Sequence, residues 1–139
     1  MKSKKLLSII LALAMMFSVL PASTVLVHAE AITETISADT TWNDGDTVGG
    51  VTISGGTVTI NGDVGITAAI TIKGNVTFTG GGTLNRMSPS GNLIKVESGS
   101  LTLNNVTIDG TNVIISDSWT AAAINMAGGT VIMNDGAKI

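Results

Sequence analysis

The sequence predicts an all-β protein folded as a parallel β-helix, a solenoid in which short strands stack from one coil to the next. Three observations predict it. A pattern of two alternating strands around a glycine bend occurs without gaps at residues 51–61, 94–104 and 124–134. In each copy the first, third, eighth and tenth places are apolar and the last place is Asn. After residue 29, no window has the three-and-four spacing of apolar residues that is typical of a helix.

Residues 1–29 have the order of a secretory signal peptide. Three lysines at positions 2, 4 and 5 precede an apolar run at 6–20, and Val27-His28-Ala29 resembles a cleavage site. The run is shorter than the roughly 20 residues that a membrane-spanning helix needs, which disfavours an uncleaved anchor. We therefore expect cleavage after Ala29, a secreted or cell-wall-associated product, and no membrane contact after cleavage.

The composition excludes some classes of partner. The chain has 7 basic and 10 acidic residues, and cleavage removes three lysines, so the net charge changes from −3 to −6. The four remaining basic residues are scattered, which argues against binding to nucleic acid. Cysteine is absent, so disulfides are excluded, and the only histidine, His28, leaves with the signal peptide.

Residues 30–50 carry turn-forming residues and one large aromatic residue, Trp42. We predict that they form an N-terminal cap, because the first coil of a stack would otherwise expose its core and its unpaired backbone groups.

Residues 51–139 are predicted to form about four coils. Short runs alternate apolar residues with Thr, as in Val51-Thr52-Ile53, which places the apolar side chains on one face of each strand. A looser copy at 70–78 fits the pattern if one residue is missing at the bend. The coils then start at 51, 70, 94 and 124, with the extra length in the turns at 85–92 and 110–121.

The alternative all-β architecture is a sandwich or jelly roll, which also has short strands and frequent turns. Stacking is favoured because the copies align without gaps. It predicts that Val51, Ile94 and Ile124 lie above one another, and that the Asn residues closing the copies form a hydrogen-bonded ladder, namely Asn61, Asn104 and Asn134. Because 135–139 begin a further strand without a polar cap, we expect coils to continue beyond Ile139.

Residues 40–139 resemble the right-handed parallel β-helix, or pectin-lyase-like, superfamily. The likeness rests on the segment 41–48, Thr-Trp-Asn-Asp-Gly-Asp-Thr-Val, and on the two-strand coils that follow. In character the chain is closest to the secreted surface and adhesin-type proteins of bacteria. The resemblance implies a right-handed coil, and it leaves the activity open because the superfamily includes polysaccharide lyases, glycoside hydrolases and structural shafts.

Neither catalytic arrangement known in the superfamily can be drawn from these residues. Pectate lyases of the superfamily use clustered carboxylates to hold calcium and an Arg or Lys as base, whereas Arg86 and Lys95 belong to different coils here. The hydrolases need two acids about 5 to 10 Å apart. Equivalent places in the copies hold Ser54, Glu97 and Ala127, so no pair of acids forms. No catalytic residue, metal site or cofactor is predicted.

Three residues are candidates for contact with a ligand: Asp109 at a coil corner, and Asp117 and Trp119 in the long turn. Trp119 has the chemistry to stack on a sugar ring, and the alternative is that it folds back over the coil below. The acids of Asp44-Gly45-Asp46 and Asn61-Gly62-Asp63 are predicted to be turn residues, because neither run has the ligand series of a calcium loop.

The expected function is a secreted or cell-surface module with a structural, adhesive or glycan-contacting role. Its partners are expected to be polysaccharide or a host or cell-wall surface. The alternative is the N-terminal part of a polysaccharide lyase or glycoside hydrolase whose catalytic coils lie downstream.

Overall fold

The computed structural model describes residues 31–111 and 121–139. These residues form twelve strands and no helix: β1 (Thr35–Ile36), β2 (Thr40–Asn43), β3 (Thr47–Val48), β4 (Thr52–Asn61), β5 (Asp63–Ile66), β6 (Ile70–Thr79), β7 (Thr83–Arg86), β8 (Ile94–Val96), β9 (Ser100–Leu103), β10 (Thr107–Asp109), β11 (Ile124–Met126) and β12 (Thr130–Met133). No described segment is a helix of the length and apolarity needed to cross a membrane. The predicted signal peptide and its cleavage site lie outside the described residues.

The strands form two parallel sheets. Sheet 1 has the order β1-β4-β6-β8-β11, with β2 pairing with β4, β9 with β6, and β12 with β9. Sheet 2 has the order β10-β7-β5-β3. Every pairing between these strands is parallel. The prediction of an all-β chain with parallel strands is therefore confirmed for the described residues.

The chain alternates between the sheets, and we call each passage through them a layer. The five layers are β1 to β3, β4 with β5, β6 with β7, β8 to β10, and β11 with β12. Residues 35–48, which lie in the predicted cap, form the first layer, because β1 and β2 pair with β4 and β3 pairs with β5. Where the sequence pattern predicts two short strands, β4 and β6 each run through the bend as one strand of ten residues.

The core lies between the sheets and is made by the apolar member of each alternating pair. The four inward places of the first copy are fully buried, as predicted: Val51, Ile53, Val58 and Ile60. Ile70 pairs with Ile94, and Ile94 with Ile124, while Val51 lies opposite Ile70 because Thr52 pairs with Thr71. The predicted column of Val51, Ile94 and Ile124 is thus present, with Ile70 as a fourth member.

Two aromatic side chains pack against each other inside the core. Trp42 of β2 is 1% exposed and Phe78 of β6 is fully buried. Their ring centroids lie 6.0 Å apart with an angle of 62° between the planes, an edge-to-face contact. Such pairs add stability beyond the burial of their surface.

The predicted alignment of the copy at 70–78 with the first copy is wrong. The sequence places Val76 opposite Val58, but the register places Phe78 opposite Val58 and Val76 opposite Gly56. The pairing shifts between Ile53 and Gly55, where β6 has one residue more than β4. Gly74 permits the shift, since a Cβ atom there would clash with the carbonyl group of Ser54.

The predicted Asn ladder is present only in its last step. Asn134 donates from Nδ2 to Oδ1 of Asn104 over 2.5 Å. Asn61 does not take part, because it pairs in register with Asn43 of the first layer. Thr79 of β6 stands beside Asn104, and the shift pairs Thr79 with Thr59, so Asn61 lies two residues away from the ladder.

The bend in sheet 1 becomes longer from layer to layer. Two inward columns border it, one containing Ile53 and the other containing Val58. Along the chain, the number of residues from the first column to the second is four in the first layer, five in the second, six in the third, and seven in the fourth and fifth. The counts run from Ile36 to Thr40, Ile53 to Val58, Ile72 to Phe78, Val96 to Leu103 and Met126 to Met133. Sheet 1 is therefore narrowest at its N-terminal edge.

Candidate functional site

Asp109 is the one ligand-contact candidate that falls within the described residues. It is the last residue of β10 and lies at the outer face of sheet 2, half-buried. Asp117 and Trp119 belong to 112–120, which lie outside the described residues. The site is therefore built around Asp109.

Strand pairing brings four further polar residues to the same face. Asp109 pairs with Asn85 of β7, and Thr107 pairs with Thr83 on one side and with Lys138 on the other. Leu84 and Ile108, between these residues, are buried, so the polar side chains point outward. We call this group the Asp109 surface, and its members are Thr83, Asn85, Thr107, Asp109 and Lys138.

Asp109 is held by a local turn. Its Oδ1 accepts hydrogen bonds from the Thr111 amide at 2.9 Å and from the Thr111 hydroxyl at 2.6 Å. The hydroxyl bond is the largest cause, followed by the amide bond, of an Asp109 pKa below the ordinary value of 3.8. Asp109 is therefore a carboxylate at neutral pH, and it is held in a fixed orientation.

A cavity of about 480 Å³ opens beside this carboxylate. Its polar lining comes from Thr107, Asp109, Thr111 and Lys138, and its apolar lining from Ile108, Ala123 and Ile139, with Gly110 between the two. It is a shallow depression that is largely open to solvent. Its lining offers an acceptor, hydroxyl groups and an ammonium group beside apolar side chains.

Arg86 lies behind the Asp109 surface, on the inner face of β7. It is 5% exposed and occupies an inward place opposite Ile66 of β5. Its burial was not predicted from the sequence, in which Arg86 was a candidate only for a catalytic base. The signal was available in Thr83-Leu84-Asn85-Arg86, because the alternation that buries Leu84 also points Arg86 inward.

Other carboxylates form hydrogen bonds or ion pairs with groups of the protein itself. Asp44 accepts from the Asp63 amide at 2.8 Å and Asp46 from the Asn43 amide at 2.7 Å, as expected of turn residues. Glu97 lies 2.6 Å from Lys95 Nζ and 3.6 Å from Lys73 Nζ, and the hydrogen bond from Lys95 is the main cause of its lowered pKa. Within 31–111 and 121–139, no three His, Cys, Asp or Glu residues are grouped to hold a metal ion.

Replacing Thr111 by Val is expected to raise the pKa of Asp109 towards the ordinary value of an aspartate, because the hydroxyl bond is lost. A carboxyl with a lowered pKa stabilises the fold above its unfolded pKa. That contribution disappears as the pH falls through the folded pKa, so Thr111→Val should reduce the pH dependence of stability in this acidic window. A carbon-detected NMR titration of the Asp109 carboxyl measures the shift.

Thr107→Val is the matched control, since Thr107 lines the same cavity without bonding to Asp109. An equal pKa change in both variants would contradict the role of the Thr111 hydroxyl.

No protein-family model matches the chain, and no curated protein or solved structure is significantly similar to it.

Proposed function

We propose that the chain is a secreted or cell-surface module, folded as a right-handed parallel β-helix of the pectin-lyase-like kind, that contacts glycans through the Asp109 surface. The layered parallel strands support the fold assignment. The handedness, the superfamily and a partner among polysaccharides or on a host or cell-wall surface come from the resemblance to that superfamily, and the location outside the cell comes from the predicted signal peptide.

One observation carries the glycan assignment. Asn85 and Asp109 are paired neighbours on adjacent strands, so their side chains lie about 4.8 Å apart on one face, beside the Thr83 and Thr107 hydroxyls. A carboxylate accepts hydrogen bonds, and an amide or a hydroxyl both accepts and donates them. Such a face matches the hydroxyl groups along a sugar chain, which are donors and acceptors in alternation.

The same geometry supports binding rather than catalysis in the described residues. Glycoside hydrolysis needs two acids about 5 to 10 Å apart, and the register neighbour of Asp109 in β7 is an amide. Glu97 lies in sheet 1, next to β8, and it is engaged by Lys95 and Lys73.

Sedimentation with insoluble polysaccharides tests the proposal. The secreted chain is mixed with cellulose, chitin or peptidoglycan, and the protein remaining in solution is measured. Asp109→Ala is expected to weaken binding to the preferred polymer by about tenfold or more, since a hydrogen bond to a charged group contributes about 1.5 to 3 kcal/mol. Asn85→Ala is expected to have a smaller effect, since a neutral hydrogen bond contributes about 0.5 to 1.5 kcal/mol.

Thr102→Ala is the control, because Thr102 is a half-buried outward residue of β9 in the other sheet. Failure of the unmodified chain to bind any of these polymers would contradict the proposal. Release of oligosaccharides from a polymer would instead favour the alternative that the chain belongs to a lyase or hydrolase.

A further inference from the structure

Arg86 is the charged residue that lies buried among the described residues, and its guanidinium donates hydrogen bonds to backbone carbonyl groups outside the strands. Its neighbours in the same inward column are apolar, namely Val48 and Ile66. Burying a guanidinium costs free energy unless its N–H groups are bonded. The groups that accept hydrogen bonds from Arg86 therefore indicate the role of its buried charge.

Three of the groups that Arg86 contacts are backbone carbonyl groups that accept its hydrogen bonds. Arg86 donates from Nε to Gly110 O at 3.2 Å, from Nη1 to Gly91 O at 2.6 Å and from Nη2 to Ala122 O at 2.8 Å. None of the three acceptors lies in a strand. They belong to the two long turns of the chain, one before β8 and the other between β10 and β11, so a single side chain joins both turns.

One of these acceptors lies inside the Asp109 turn. Gly110 stands between Asp109 and Thr111, the two residues whose hydrogen bonds fix the carboxylate. Ala122 precedes Ala123, which also lines the cavity. Ala123 packs directly beside Gly110, since a Cβ atom on Gly110 would be 3.0 Å from the Ala123 Cβ.

We infer that Arg86 is a positioning residue for the Asp109 surface: its guanidinium bonds to the Gly110 and Ala122 carbonyls, and so fixes the turn that presents Asp109 and the adjacent segment that contains Ala123. This inference rests on the proposed function for the relevance of the surface. The positioning itself can be measured without a ligand. A planar group with donors in fixed directions suits this task, and the single ammonium group of Lys does not.

The test uses Arg86→Lys, which keeps the charge, and Arg86→Met, which keeps much of the volume. NMR reports the pKa of Asp109 and the hydrogen exchange of backbone amides. In both variants we expect the Asp109 pKa to rise towards the ordinary value and the Thr111 amide to exchange at least about tenfold faster. Amides of β4 should keep their protection, because β4 pairs with β1, β2 and β6 and not with these turns.

Lys95→Met is the control, since Lys95 is a half-buried cation of sheet 1 whose bond is to Glu97. An unchanged Asp109 pKa and unchanged Thr111 exchange in folded Arg86→Lys would overturn the inference. If both Arg86 variants are unfolded, Arg86 belongs to the folding core and the inference is also wrong. A chain that binds no polysaccharide but shows the expected shifts would contradict the proposed function and leave the positioning role standing.

Discussion

Replacing Phe78 by Ala is expected to reduce the free energy of unfolding by about 3 to 5 kcal/mol. Phe78 is fully buried, lies opposite Val58 on one side and Leu103 on the other, and contacts the edge of Trp42. Three layers of strands meet around this ring, so they cannot close the cavity without changing their register. Urea unfolding followed by tryptophan fluorescence measures the loss.

Ile132→Ala is the matched control for Phe78→Ala. Ile132 is an apolar residue in the same sheet and is 43% exposed, and it pairs with the outward Thr102. Its replacement is expected to change the stability by about 0.5 kcal/mol or less. A comparable loss in the two variants would mean that Phe78 is not at the centre of the core.

The second large effect is expected for Gly99→Ala at the bend between β8 and β9. Gly99 has φ of 74°, a conformation that costs a residue with a side chain about 1 to 3 kcal/mol. A Cβ atom there would also clash with the carbonyl group of Gly74 in the preceding layer. We expect a loss of at least about 2 kcal/mol in the free energy of unfolding, measured by urea titration.

Gly45→Ala separates the two causes. Gly45 has φ of 82°, but a Cβ atom there would have no other atom within 4 Å. Only the conformational cost applies, so its loss should stay near 1 kcal/mol. If both variants lose the same stability, the close approach of the layers at Gly99 is not an energetic constraint.

The inward residues of the strands could be predicted from the sequence because alternation alone determines them. Val51, Ile53, Val58 and Ile60 follow from a period of two, and their burial needs no knowledge of neighbours. Register is different, because it depends on how two backbones pass each other. The pairing of Phe78 with Val58 is set where Gly74 passes Ser54, and composition does not reveal that contact.

The candidate site could likewise be predicted from the sequence only in part. Asp109 could be predicted as an exposed acid at a corner of the chain. Asn85 and Lys138 could not be joined to it, because they belong to other layers and become its neighbours only through the register of sheet 2. Arg86 was detectable as an inward position, but its partners Gly91, Gly110 and Ala122 come from turns whose path no periodic pattern describes.

The lengthening bend of sheet 1 distinguishes the first four layers from one another. Repeated sequences risk pairing with the wrong copy, since the copies at 51–61 and 94–104 offer almost the same face to a neighbour. Over the first four layers, correct neighbours differ by one residue at the bend, whereas layers that skip a neighbour differ by two. Pairing that skips a layer would therefore leave one column two residues out of register instead of one. The irregular bend thus favours pairing between adjacent layers in a chain whose core pattern alone is ambiguous.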